Sequence, residues 1–327
     1  MKMNFSRTLG MVAMGAVIAL GAVVAPASAA FPEKPITLVV PFPPGGAVDT
    51  LGRIFADSIS AQTGQPVIVE NRAGGNGNIG TALVVNSAAN GYTMLLAANG
   101  LATNPTMYPK RSFSELTDLT PVAYVGYAPL ILVVAHDSPY KTFDDLIRAA
   151  KADQEAISFA TSGSGSAPHL ASELLRVTTD SHMLHVPYKG GAPAKLDLVT
   201  GRVTFMFLNP LEAVPQVEAK KLRALMVDSA ERIPQLPDVP TAKELGYPDL
   251  EAKVWWGFAV PKGTPADVVQ VLNQNINKAL QDKTVQEKLQ KMAITVGGGT
   301  SEEFATFFRD QVTKWAGVVK KAGLSSD

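Results

Sequence analysis

Two stretches of this sequence carry residue types suited to holding a small anion: Pro41-Phe42-Pro43-Pro44-Gly45-Gly46-Ala47-Val48-Asp49 and Thr161-Ser162-Gly163-Ser164-Gly165-Ser166-Ala167-Pro168-His169. In the first, prolines fix the backbone and glycines let it approach a ligand closely. The amides that follow point outward with the positive end of a helix dipole. In the second, hydroxyls and unencumbered amides converge at another helix start. Both suit a carboxylate held by neutral donors rather than by a buried cation. The competing reading of each is a tight strand-to-helix connection and nothing more. Asp49 is then a ligand contact or an early-helix acid satisfying the dipole, and His169 either hydrogen-bonds a ligand or packs in the first turn of its helix.

Other chemistries fit less well. Gly75-Asn76-Gly77-Asn78-Ile79-Gly80 has the glycine spacing of a dinucleotide loop, but no Asp or Glu follows it before Ser114 to bind a ribose. The serine cluster lacks a nucleophile elbow, because Ser162 and Ser166 stand where glycines are needed around Ser164. His182 and His185 have no accompanying Glu and, at strand spacing, face opposite sides, so no metal site is expected. The chain has no cysteine, which excludes disulfides, thiolate metal sites, thiol catalysis and a lipid-modified N-terminal Cys. Lys and Arg balance Asp and Glu at 29 each, and no basic run interleaved with aromatics offers a nucleic-acid surface. No cofactor is implied.

Short apolar runs alternate with amphipathic stretches in the order needed to place those loops at strand ends. Strands are expected at Ile36 to Val40, Val67 to Glu70, Thr93 to Ala97, Val122 to Val125, Leu130 to Ala135, Ile157 to Ala160, Met183 to Pro187, Val203 to Leu208, Leu222 to Val227 and Trp256 to Val260. Helical spacing fills most of the gaps between them, and the closing stretch is almost all helix. The pattern implies α/β architecture with parallel-type sheets. The 327 residues suffice for two cores. We expect two α/β lobes, 31–128 with 255–327 and 129–254. The chain would cross between them near Pro129 and Val254, leaving a hinge and a cleft. Trp255-Trp256 reads as core or cleft wall at the second crossover, and Asn209-Pro210 as the cap of a strand end near the cleft.

Residues 1–30 precede this pattern. Lys2 and Arg7, an apolar stretch around Met11 to Val24, and Ala27-Ser28-Ala29-Ala30 have the order of a cleavable secretory signal. Cleavage is expected at Ala29 or Ala30, delivering the chain to the periplasm.

Further runs extend the pattern: Val69-Glu70-Asn71-Arg72-Ala73-Gly74-Gly75-Asn76-Gly77, Asn90-Gly91-Tyr92-Thr93, His185-Val186-Pro187-Tyr188-Lys189-Gly190 and Leu236-Pro237-Asp238-Val239-Pro240-Thr241. With the two glycine loops and the lead-in Pro35-Ile36, their order resembles that of the solute-binding receptors of tripartite tricarboxylate transporters, the Bug or TctC-like family. The departure is Asn90, where Asp is frequent. The resemblance implies a type II periplasmic binding-protein fold whose two lobes close on a carboxylate, helped by ordered water. It points to Phe42, Pro44, Gly45, Gly46, Ser162, Ser164, Ser166 and His169 as the pincer, and to Ala98, Asn99 and Asn209 as the distal pocket. The function implied is not enzymatic: capture of a small organic carboxylate and delivery to the membrane subunits of a tripartite transporter. The rivals are an exported serine hydrolase using Ser162 to Ser166 with His169, and a ligand-loaded partner of a membrane sensor kinase.

Overall fold

A computed structural model describes Met1 and residues 31–153, 156–321 and 323–324. The expected export signal therefore lies, Met1 apart, outside the described residues. No described helix is long and apolar enough to cross a membrane.

From the first strand onward the elements are β1 (Ile36–Val40), α1 (Ala47–Thr63), β2 (Val67–Asn71), α2 (Asn78–Val85), β3 (Thr93–Ala98), α3 (Gly100–Met107), α4 (Glu115–Asp118) and β4 (Leu119–Ala128). Then follow β5 (Ile131–Ala135), α5 (Phe143–Ala152), β6 (Ser158–Thr161), α6 (Ala167–Thr179), β7 (Leu184–Pro187), α7 (Gly191–Val199), β8 (Phe205–Leu208), α8 (Pro210–Glu218) and β9 (Leu222–Val227). The chain closes with β10 (Val254–Pro261), α9 (Ala266–Gln281), α10 (Lys283–Lys291), β11 (Thr295–Val296) and α11 (Ser301–Lys321). The strands form two sheets, ordered β11-β4-β10-β3-β1-β2 and β7-β6-β8-β5-β9.

The two sheets share one plan. In each, the three strands at one edge are parallel (β2-β1-β3 and β7-β6-β8), and the strand next to that trio is antiparallel to its neighbours (β10 and β5). The sheets are therefore mixed, not wholly parallel. The reason is connectivity: β5 and β10 are the strands by which the chain arrives from the other sheet, so they enter from the opposite end. Apolar runs on both faces, which suggested parallel pairing, report only that helices cover both faces. Within α1, for example, Leu51, Ile54, Phe55 and Ile59 recur at helical spacing and are buried.

Two short helices, α3 and α4, were illegible in the sequence, and α3 borders the site. Helix α3 contains Gly100, Thr103, Asn104 and an internal Pro105, all poor helix formers, and is buried from Gly100 through Asn104. Burial on all sides removes the amphipathic period by which a helix is read.

The first sheet hangs on β10, every residue of which is buried. Phe258 meets Phe55 edge-on at 5.2 Å, and Trp255 is surrounded by Phe304, Phe307 and Phe308 of α11. The passages between the sheets are tied by a fully buried carboxylate. Asp228, just after β9, accepts hydrogen bonds from the Leu130 amide (2.5 Å) and the Ala252 amide (3.3 Å), one on each passage. Burial pushes its carboxyl well above the usual range, against the pull of those two amides.

The ring of Phe304 lies so close over Gly257 that a Cβ there would stand 2.2 Å from Cζ and 2.7 Å from Cε1. We expect Gly257→Ala to lower unfolding free energy by about 1–3 kcal/mol through overpacking. Urea denaturation checks this; an unchanged midpoint would contradict the central role given to the β10–α11 contact.

Candidate functional site

The Pro41–Gly46 loop follows β1 and is held from beneath by Asp49. Gly45 has φ +84°, a conformation that favours glycine. Its amide donates to Asp49 Oδ2 at 3.0 Å, and the same carboxylate receives Arg53 and the Asn71 side-chain amide (2.9 Å). Asn71 Nδ2 also donates to the Phe42 carbonyl at 3.1 Å. Burial alone would push the Asp49 carboxyl up, but Arg53, the Gly45 amide and Asn71 outweigh it and hold the group below the usual carboxylate range. Asp49 is thus a brace for the loop.

The second loop, between β6 and α6, is folded back on itself. Ser166 Oγ donates to the Gly163 carbonyl at 2.7 Å, and the Gly165 amide donates to His169 Nδ1 at 3.0 Å. Because Nδ1 accepts, the His169 proton sits on Nε2, 3.9 Å from a Glu173 carboxylate oxygen. The His169 ring stacks on His185 at 4.0 Å, Phe159 lies beside both at 5.0 Å from His185 and 6.4 Å from His169, and His185 Nε2 lies 2.7 Å from Thr161 Oγ1. Burial lowers His169 to about 3, with help from the neighbouring His185, and lowers His185 to about 4. Both rings are neutral at neutral pH.

These loops enclose a cavity of about 300 Å³ whose wall draws on both sheets. From the first come Phe42, Pro44, Gly45, Gly46, Ala98 and Asn99; from the second come Ser162, Ser166 and Asn209. Asp49, Ser164 and His169 are not in this wall. Ser164 and Gly165 instead meet the opposite side: Tyr108 Oη donates to the Ser164 carbonyl (3.4 Å) and Thr103 Oγ1 to the Gly165 carbonyl (3.0 Å). Asn99 is pinned at both ends of its amide, donating to the Lys253 carbonyl and accepting from the Trp255 amide, each at 2.9 Å.

Five helices begin at this cavity. Gly46 and Ala47 open α1, Asn99 and Gly100 open α3, Ser166 and Ala167 open α6, Gly190 and Gly191 open α7, and Asn209 and Pro210 open α8; the wall includes one or both of each pair. None of the five has a side-chain cap, and neither do α2, α4 and α9 elsewhere, whereas α5 and α10 are capped by Thr142 and Asp282. The amides of Ala102 and Glu212 bond to the Asn99 and Asn209 carbonyls and Pro210 has no N–H, so the cavity is bordered by five positive dipole ends and by the remaining first-turn amides. Such a lining is suited to an anion.

The sequence reading left the α7 start out of the site, although a signal was present. Gly190-Gly191-Ala192 repeats Gly45-Gly46-Ala47 at a strand-to-helix junction of the other sheet, there after an edge strand, β7. Lys189 and Lys195 come with it, and Glu212 lies across from them. Asn76, from the loop rejected as a dinucleotide site, also reaches the wall. Asn209 donates to Glu212 at 3.3 Å, which leaves its buried Oδ1 without a donor.

A two-sheet α/β body with a ligand-sized cavity between strand carboxyl ends defines the class of periplasmic solute-binding proteins. Solved structures of that class overlay it. The periplasmic binding protein BugD matches with TM-score 0.85 and 34% identity, covering 90% of this chain and all of that one. An R. palustris protein with adipate matches with TM-score 0.86 and 34% identity over 90% of this chain and 99% of that one. MatC from Rhodopseudomonas palustris with bound malate matches with TM-score 0.83 and 29% identity over 88% of this chain and all of that one. In sequence, BugT of Bordetella pertussis is 39% identical over 324 residues, 98% of this chain and 99% of its own. Residues 51–324 match the tripartite tricarboxylate transporter family receptor, TctC. The chain belongs to that family of receptors and has their type II periplasmic binding-protein fold.

The neutral histidine stack makes an acid-sensitive brace. In the folded state both pKa values lie below the ordinary 6.5, so the unfolded chain binds more protons and stability falls as pH drops from about 6.5 towards 4 and 3. For His169 the loss is roughly 2 kcal/mol by pH 5. Guanidinium unfolding of the parent and of His169→Gln at pH 7 and pH 5 checks this: His185 and the opposing effect of buried Asp228 are common to both, so the loss between the two pH values should be smaller in the variant by roughly 2 kcal/mol, and an equal loss would contradict it.

Proposed function

We propose that this receptor captures a small organic carboxylate in the cavity between the two glycine loops and delivers it to the membrane subunits of a tripartite transporter. One observation carries the reading: five uncapped helix starts surround one cavity, a donor-rich lining suited to a carboxylate. The relatives with adipate and malate support the ligand class. Buried Asn209 Oδ1 adds a condition at the far end, where the ligand should present a hydrogen-bond donor.

In this reading residues 31–128 with 255–327, and 129–254, are lobes that close about the passages near Pro129 and Val254. A ligand touching both walls stabilises the closed form because only that form offers all its donors at once. Export by residues 1–30 to the periplasm belongs to the same proposal. No turnover is expected. Ser166 Oγ is committed to the Gly163 carbonyl and His169 Nδ1 to the Gly165 amide, so these two do not form a serine–base pair.

A side chain at Gly46 would project freely, since a Cβ there meets only the Pro43 carbonyl at 4.0 Å. Gly46→Trp should fill the cavity, leave the ligand-free melting temperature in place and abolish stabilisation by ligand. A thermal-shift screen of mono-, di- and tricarboxylates, aromatic acids and amino acids finds the ligand; one present at a hundred times its Kd stabilises by about 2.7 kcal/mol. Calorimetry on the variant then decides, and unchanged affinity would overturn the assignment.

A further inference from the structure

Behind the ligand cavity, on the opposite face of β10 and β4, lies a second recess of about 260 Å³. The strand geometry fixes which side it is on. Val254 lines the ligand cavity; its neighbour Trp255, paired with Tyr127, lines the recess. The recess is walled by aromatic rings from three elements: Tyr127 of β4, Trp255 of β10, and Phe307 and Trp315 of α11. Phe307 and Trp255 stand edge to face at 5.6 Å. Two cations border the rings. Lys253 Nζ lies 4.3 Å from the Tyr127 ring centroid and Lys314 Nζ 5.3 Å from that of Trp315. Glu251, 2.7 Å from Lys253, is the acid in the wall, so the recess carries one net positive charge.

Trp315 Nε1 donates to Gln311 at 3.1 Å, and Trp255 Nε1 is buried behind the wall, out of an occupant's reach. Aromatic walls with an excess lysine are the surroundings in which a flat ring with one negative group is best placed.

We propose that the recess is a second binding site, for an aromatic monocarboxylate. The ring stacks among Tyr127, Phe307 and Trp315, and the carboxylate pairs with Lys253 and Lys314. The site shares its wall with the ligand cavity. The Lys253 carbonyl and Trp255 amide are the two groups held by Asn99, which lines that cavity, so an occupant bearing on Lys253 acts on the wall of the cavity in front.

The test uses 2-naphthoate with 2-naphthamide as its neutral counterpart, titrated by calorimetry into the full receptor and into Gly46→Trp. We expect one saturable naphthoate site to survive Gly46→Trp, to weaken about fivefold or more in Lys253→Met and in the exposed Lys314→Met, and to be poorly filled by the amide. Absence of binding in Gly46→Trp, or affinity indifferent to both lysine replacements, would overturn the proposal. Lys314→Met alone suffices if Lys253→Met fails to fold. Loss of carboxylate binding at the front cavity leaves these outcomes unaffected, so the two readings fail separately.

Discussion

The structure rests on a property of every α-helix: its first amides have no partner of their own. Five helices leave that property unmet at the same place. Isolated, an uncapped start is a modest penalty that Ser, Thr, Asp or Asn can remove; here Asn99, Ser166 and Asn209 stand at three of the starts with side chains bonded to Lys253 and Trp255, to Gly163 and to Glu212 instead. Gathered around an enclosed cavity, the same amides form an array of fixed dipoles in surroundings where hydrogen bonds are stronger than in water. Glycine and proline at Pro44-Gly45-Gly46 and Gly190-Gly191-Ala192-Pro193 keep the approach open, since neither can offer a capping side chain.

The topology makes the convergence possible. Each sheet carries a parallel trio whose strands run into helices at their carboxyl ends, and each takes in one antiparallel strand from the other sheet. The first passage between sheets is residues 129–130 and the return is the long segment 228–253; Asp228 ties the two together, and Asn99 holds the end of the return. Residues 253–255 stand at the centre of this bracing. With alternate side chains pointing to opposite faces, they give the molecule a front wall at Val254 and a back wall at Lys253 and Trp255.

Charge is kept out of the second loop by the same economy. The His169–His185 stack works as packing because burial favours the neutral rings, and the Nδ1 acceptor of His169 fixes a glycine amide that would otherwise be orphaned. Asp49 does the corresponding work under the first loop as an anion, because Arg53 and Asn71 are there to meet it. Both residues were legible as belonging to the loops. Whether they touched ligand or held the loop was decided by which partners the fold brought to them.

Local physics made much else readable: apolar runs of strand length, helical spacing in Leu51, Ile54, Phe55 and Ile59, and two glycine loops at strand ends. These depend on neighbours along the chain, and the sequence by itself determined them. It did not reveal α3, whose burial on all sides erases its period, nor the antiparallel β5 and β10, whose direction follows from how the chain returns between sheets. It did not show that Lys189 and Asn76 share a wall with Gly46, or that Lys253 and Trp255 meet α11 behind it. Such juxtapositions join residues tens to hundreds of positions apart, and no local preference encodes them; only the tertiary structure decided them, by packing two sheets around one set of unpartnered helix ends.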